Sequence, residues 1–189
     1  MDKTYADTVR LLLAVAPDVF ANDIFAMKGG TAINLFVRDM PRLSVDIDVV
    51  YLPWQTPRDE ALQAINQELA AIATRVAPLG VQTRLVRAKD LGDTKLIVEN
   101  DASQVKIEVN VVFRGSVLPV ERRPLSAKTS DLFGVEFELP VLAPDELYAS
   151  KLVAALDRQH PRDLFDVWQL YESGDISDGM IECFVIYLA

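Results

Sequence analysis

Residues 28–48 leave the chain little choice of local structure. Lys28-Gly29-Gly30-Thr31 is followed by a short mixed run to Arg38, a turn around Pro41, and then Arg42, Ser44, Asp46, Ile47 and Asp48 on the way to Tyr51. This reads as a glycine turn, a short helix and a strand bearing two carboxylates. Residues two apart on an extended strand project from one face, about 7 Å apart. Asp46 and Asp48 therefore share a face, while Val45, Ile47 and Val49 turn into a core. With no cation inside the strand the two acids repel each other unless an ion sits between them. Mg²⁺ is the natural candidate, because it takes hard oxygen ligands and shares its shell with phosphates.

The turn supplies what a triphosphate needs. Gly29 and Gly30 let the backbone come close to a ligand. The helix after them points free N–H groups and its positive dipole end toward the turn. Thr31 adds a hydroxyl and Lys28 a cation. Alone, Gly-Gly-Thr is a capped helix start, and alone Asp-x-Asp is an exposed strand face. In this order, separated by one helix, they point to a phosphate and metal site.

Two other stretches carry candidate chemistry. Residues 103–113 alternate: Val105, Ile107, Val109 and Val111 form one face, and Lys106, Glu108 and Asn110 the other. Periodicity alone leaves Glu108 either a third acid or a surface charge, with Glu99 on the preceding strand in reserve. Residues 143–168 read as two helices. Pro144, Asp145 and Glu146 suit a first turn, and Pro161 opens the second helix with Asp163 in its first turn. Leu147, Leu152, Val153 and Leu156 supply an apolar stripe, with Lys151, Ala155 and Arg158 on another line. Here the local alternatives are a solvated Lys151, an i,i+4 pair of Arg162 with Asp166, and Asp163 as a dipole partner.

Lys28-Gly-Gly-Thr-Ala, a helix, then Arg-x-Ser-x-Asp-Ile-Asp48 resembles the AbiEii/AbiGii toxin nucleotidyltransferases of bacterial abortive-infection and toxin–antitoxin systems, within the nucleotidyltransferase superfamily. The Lys151 helix followed by Arg162-Asp163-Leu-Phe-Asp166 resembles that family's C-terminal motif. Fourteen residues separate Thr31 from Asp46, slightly more than is usual in the superfamily. The resemblance covers roughly residues 22–52 and 100–172. It implies an α+β (mixed α/β) nucleotidyltransferase fold, a central mixed sheet flanked by helices, with the core in residues 1–140 and a C-terminal helical portion in 141–189. Family members usually continue into further helices, so part of that portion is expected to be lacking here.

The resemblance also assigns roles. Asp46, Asp48 and Glu108 become ligands for one or two Mg²⁺ ions, with Glu108 alternatively the base for the attacking hydroxyl. Lys28, Gly29, Gly30, Thr31 and Lys151 become the clamp on the NTP phosphates, with Ser44 as a phosphate contact or strand cap. Asp163 lines the site as a catalytic acid acting electrostatically, and Asp166 anchors Arg162, these last two counting among the nucleotide-binding residues. The implied reaction is Mg²⁺-dependent transfer of an NMP from an NTP to an RNA (tRNA) end, with growth arrest as the outcome and a cognate antitoxin as regulator. Two alternatives stand beside it: transfer to a small molecule of the aminoglycoside type, and a catalytically silent nucleotide- or antitoxin-binding module.

Composition bears on class and partners. At 189 residues and 50% hydrophobic content the chain can bury a real core. No apolar run approaches transmembrane length and the first residues form no signal peptide, so a cytoplasmic location without membrane contact is expected. The single Cys183 allows no intrachain disulfide and no zinc cluster, and its apolar surroundings place it in the core. The single His160 reads as an N-cap or loop residue. A net charge of −9 opposes a nucleic-acid partner. Against that stand Arg84, Arg87 and Lys89, and a second basic group, Arg114, Arg122, Arg123 and Lys128, in a loop-like stretch that either meets RNA at the mouth of the site or is merely solvated.

Elsewhere the periodicity predicts helices at 4–15, 31–38, 57–77, 144–159, 162–172 and 178–189. Strands are expected at 23–27, 45–51, 82–87, 94–100, 104–112 and 133–138.

Overall fold

The computed structural model describes residues 2–87, 93–174 and 176–189. The first helix, α1 (Lys3–Val19), starts where Asp2 accepts a hydrogen bond from Tyr5 N–H, and Val9, Leu12, Val15, Ala16 and Val19 are fully buried along one side. Next come β1 (Phe25–Lys28), α2 (Gly29–Ala32) continuing as a π-helical turn through Val37, β2 (Ile47–Tyr51) and the long α3 (Arg58–Val76). Ile65, Leu69, Ile72 and Val76 of α3 are fully buried, each contributing about 1.5–3 kcal/mol. Strands β3 (Gln82–Arg87), β4 (Asp93–Glu99) and β5 (Gln104–Asn110) form a meander. Then follow β6 (Glu121–Pro124), α4 (Ala127–Phe133), β7 (Glu138–Val141), and helices α5 (Pro144–Arg158), α6 (Pro161–Ser173) and α7 (Asp178–Leu188).

The seven strands form one mixed sheet in the order β3-β4-β5-β2-β1-β7-β6. The pairs β2–β5 and β1–β7 are parallel, and the rest are antiparallel. Helices α1 and α3 pack against the β3–β5 half on one face; α5 gathers α2, α6 and α7 around itself. The buried faces of β2 and β5, including Ile47, Val49, Ile107 and Val109, set the register that turns the intervening polar residues to the opposite face. Cys183 is fully buried, and His160 caps α6 by accepting Arg162 N–H at Nδ1, 3.2 Å. Among the described residues no helix is long and apolar enough to cross a membrane.

Four expectations need correction. The β2 ladder begins at Ile47, so Asp46 precedes the strand. β5 stops at Asn110 because Asn110 Oδ1 accepts the N–H groups of Val112 (2.9 Å) and Phe113 (3.2 Å), bending the chain out of the ladder. The stretch read as a loop and a strand at 133–138 is instead β6, then α4 between the Ser126 cap and Gly134 at φ +66°, and then β7 from Glu138. Arg122 and Arg123 have no apolar alternation to announce a strand; β6 exists because β7 offers it an edge to pair with. On α5 the buried face is Leu147, Tyr148, Lys151 and Ala155, and Leu156 is 63% exposed. The expected apolar stripe is rotated because Lys151 is drawn inward by two carboxylates of α6.

Candidate active site

The register of four adjacent strands builds the floor of the site. Lys28 pairs with Asp48 across β1–β2, Asp48 with Glu108 across β2–β5, and Glu108 with Lys95 across β5–β4. Cross-strand partners share a face, so four charges lie abreast in the order positive, negative, negative, positive. Lys95 Nζ meets Glu108 Oε1 at 3.1 Å. Burial, reinforced by the charges of Asp46 and Glu108, pushes the Asp48 carboxyl up to about 6, and Lys28 and Lys151 only partly offset this. Lys28 moves the other way: burial pulls its ammonium below the ordinary lysine range, against the attraction of Asp48 and Glu146.

The glycines serve this floor directly. Gly29 has φ +78°, a conformation that disfavours side chains, and a Cβ there would collide with Asp48 Oδ2. A Cβ on Gly30 would collide with the Arg42 guanidinium and reach Ser44 Oγ at 3.0 Å. The pair is thus required by the protein's own carboxylate and guanidinium, whatever ligand approaches. Thr31 is fully buried and its hydroxyl lies 3.0 Å from Ser44 Oγ, so these two hydroxyls satisfy each other. Asn34 ties the turn to the following loop by donating to Gly30 O (2.7 Å) and accepting from Arg42 N (3.1 Å).

A second constellation closes the site from α5 and α6. Asp166 receives both Arg42 Nε and Nη2 at 2.6 Å and approaches Lys151 Nζ at 3.3 Å. Asp163 accepts from Lys151 Nζ at 2.9 Å and Arg158 Nε at 2.7 Å. Burial raises the Asp163 carboxyl, but hydrogen bonds from Arg158 and Lys151 outweigh it and hold it below the ordinary range. Both acids are almost completely buried, and each is paired.

Between floor and helices runs a cleft of about 890 Å³. Of the residues singled out from the sequence, Lys28, Gly29, Asp48, Glu108 and Lys151 line it. Asp46 is not among the lining residues, but it lies close enough for its charge to raise the Asp48 carboxyl. Gly30, Thr31, Ser44, Asp163 and Asp166 lie behind the wall and shape it. Arg162 does not join them: it is exposed, and Asp166 holds Arg42 and Lys151 instead of its i,i+4 neighbour, because α6 turns its 163/166 side toward α5. Glu99 pairs with Gln104 at the far end of β4 and β5 and has no part in the cleft.

The second basic group does not assemble at the cleft. Arg122 and Arg123 sit on β6, beyond β1 and β7 from the acid strand, where Arg122 donates to Glu138 O and Arg123 pairs with Glu121. Lys128, on α4, donates to Asp39 O, and Arg114 is spent on Thr56 O. Arg84 is exposed on β3, whereas Lys89 and the side chain of Arg87 lie outside the described residues.

The sequence set Arg42 in the motif string, Arg158 on the line of Lys151 and Asn110 on the face of Glu108 without giving any of them a role, and Phe113 was passed over. Arg158 had a usable signal, being seven residues and two helical turns beyond Lys151, on the same side of α5. Arg42 had none locally, since its partner lies 124 residues away.

The fold has a counterpart among solved structures. No curated protein matches this sequence. Among solved structures, MenT4, the nucleotidyltransferase toxin Rv2826c from Mycobacterium tuberculosis H37Rv, superposes with a TM-score of 0.66 at 18% identity. The match covers 98% of this chain and 66% of that one, so the chain spans just under two thirds of its length and shares its fold. The profile described as nucleotidyl transferase AbiEii toxin, type IV TA system, matches residues 10–189. On that match, which takes in nearly the whole sequence, the chain belongs to the AbiEii nucleotidyl transferase toxin family.

Proposed function

We propose that the chain transfers a nucleoside monophosphate from an NTP to the hydroxyl of an RNA end, a tRNA end being the expected target, and that a cognate antitoxin restrains it in the cytoplasm. The observation that carries this reading is the row of Lys28, Asp48 and Glu108 across the cleft floor, with Asp46 beside it and Lys151 in the facing wall.

The donor set suits Mg²⁺. Three carboxylates supply hard oxygens, and the repulsion that raises the Asp48 carboxyl is what a divalent cation relieves. Among the described residues no three His, Cys, Asp or Glu side chains are gathered as a cage for an ion. Mg²⁺ commonly takes one or two carboxylates and leaves the rest of its shell to water and phosphate. Asp46, Asp48 and Glu108 would hold one or two such ions, which when bound stabilise negative charge developing at the transferred phosphoryl group. Lys28 and Lys151 face the phosphates as cations. Asp163 and Asp166 hold the Lys151 ammonium in position, and Arg158 extends the cationic wall along the cleft. Thr31 and Ser44 act on the shape of the turn.

The test is incubation with each α-labelled NTP and total cellular RNA, with Mg²⁺ or EDTA, using wild type beside Asp46→Ala. Label in RNA with wild type and Mg²⁺ alone is the expected result. Absence of label on RNA with all four NTPs would overturn the RNA acceptor.

A further inference from the structure

The cleft has two chemically different ends. The acids and lysines occupy one. The other is walled by Val112, Phe113, Val153, Leu156 and Tyr187. Val112, Phe113 and Leu156 are 71%, 44% and 63% exposed, and an apolar wall left open within a polar cleft is a surface that an apolar or aromatic ligand covers favourably.

Phe113 is also held in place. Its ring lies 5.1 Å from that of Tyr187, tilted by 46°, and Tyr187 donates its hydroxyl to the buried Glu146 at 3.0 Å. The loop behind it is pinned by Gly115 N–H to Tyr51 O at 2.7 Å, and by the carboxylate of Glu146, which accepts Val117 and Leu118 N–H. The ring is therefore presented by fixed backbone.

Asn110 stands between the two ends. It follows Glu108 by two residues on the same strand face, about 7 Å along. Its Oδ1 is committed to the Val112 and Phe113 N–H groups, which fixes the orientation of the amide. Its Nδ2 has no hydrogen-bond partner among the described residues, and the side chain lines the cleft.

We infer that this end is the nucleobase subsite, with Phe113 as the platform on which the base stacks and Asn110 Nδ2 as a donor to an acceptor atom on the base edge. The inference rests on the NTP reading above. A floor of acids and lysines and an aromatic wall in the same cleft, with Asn110 between them along the chain, suit the parts of an NTP in order, and stacking on an aromatic face serves any base while a single fixed donor discriminates among them.

Binding of the four α,β-methylene NTPs and of inorganic tripolyphosphate is measured calorimetrically in Mg²⁺, without acceptor. Phe113 is nearly half exposed, so its replacement leaves the core intact. Phe113→Ala is expected to weaken the nucleotides about tenfold while changing tripolyphosphate by less than about twofold, and Phe113→Trp to restore them. Asn110→Asp keeps the acceptor for both loop N–H groups and removes the donor, so the ranking of the four bases should change. Equal weakening of nucleotide and tripolyphosphate, or of neither, overturns the stacking platform while the phosphate and metal site stands. An unchanged ranking overturns the role of Asn110. If wild type binds neither nucleotide nor tripolyphosphate, the reading of the whole site falls with the subsite.

Discussion

Two clusters of charge face each other across the cleft, a buried one between α5 and α6 and a half-buried one on the sheet, and they are built on opposite rules. Between α5 and α6 the carboxylates of Asp163 and Asp166 are outnumbered by Arg42, Lys151 and Arg158, and every acid oxygen has a cationic partner. On the sheet, Asp48 and Glu108 lie side by side with Asp46 just before the strand, and Lys28 and Lys95 stand at the flanks. The first arrangement draws Asp163 below the ordinary carboxylate range and ties distant segments together; the second pushes Asp48 above it. Satisfied charge serves as structure, whereas like charges set side by side give stability up.

The largest expected effect breaks the sheet cluster. Asp48→Asn should cut nucleotidyl transfer roughly 10³-fold, as loss of a principal electrostatic group does. In EDTA at neutral pH the same variant should be more stable than wild type by about 1–2 kcal/mol. The sign follows from linkage: the folded carboxyl titrates at about 6 instead of 3.8, so the folded state holds its proton more tightly than the unfolded chain. Metal-free wild type then loses stability as pH rises from the ordinary carboxylate range through about 6, and the Asn variant lacks that loss. Urea melts across this range give the answer; a destabilised Asn variant at neutral pH would mean that Asp48 is a satisfied structural acid after all.

Breaking the helical cluster should do the reverse. Asp166→Asn leaves Arg42 and Lys151 with one charge too few in a buried setting and is expected to cost about 3 kcal/mol. Chemical denaturation measures it, and a loss below about 1 kcal/mol, the worth of an ordinary surface pair, would erase the contrast between the two clusters.

The smallest effect sharpens the boundary of the site. Arg162→Ala should change stability by less than about 0.5 kcal/mol, as an exposed side chain away from special features does. Transfer should be unchanged as well. A marked drop in nucleotide affinity on calorimetry would return Arg162 to the nucleotide-binding residues, where the motif resemblance put it.

These contrasts show which parts of the molecule local pattern can reach. The alternation of Val105, Ile107 and Val109 and the repeat of Ile65, Leu69 and Ile72 disclose their elements because a buried face imposes its period on the sequence. Asp48 was legible for the same reason, as the polar residue between two core positions. The face of α5 was not, because its period was read from apolar residues and the helix buries a lysine. Strand β6 was not, because its reason for existing is the edge of β7.

What the sequence alone determined is the set of elements whose signal is local: the glycine turn, the acid-bearing strand, the alternating β5, the long amphipathic α1 and α3. Tertiary structure decided the partners. Parallel pairing of β2 with β5 set Glu108 beside Asp48, the inward turn of α6 gave Asp166 to Arg42 across 124 residues, and the bend at Asn110 brought Phe113 to the cleft. Backbone periodicity is written residue by residue, whereas the partner of a charge depends on which segments the packed core brings within reach.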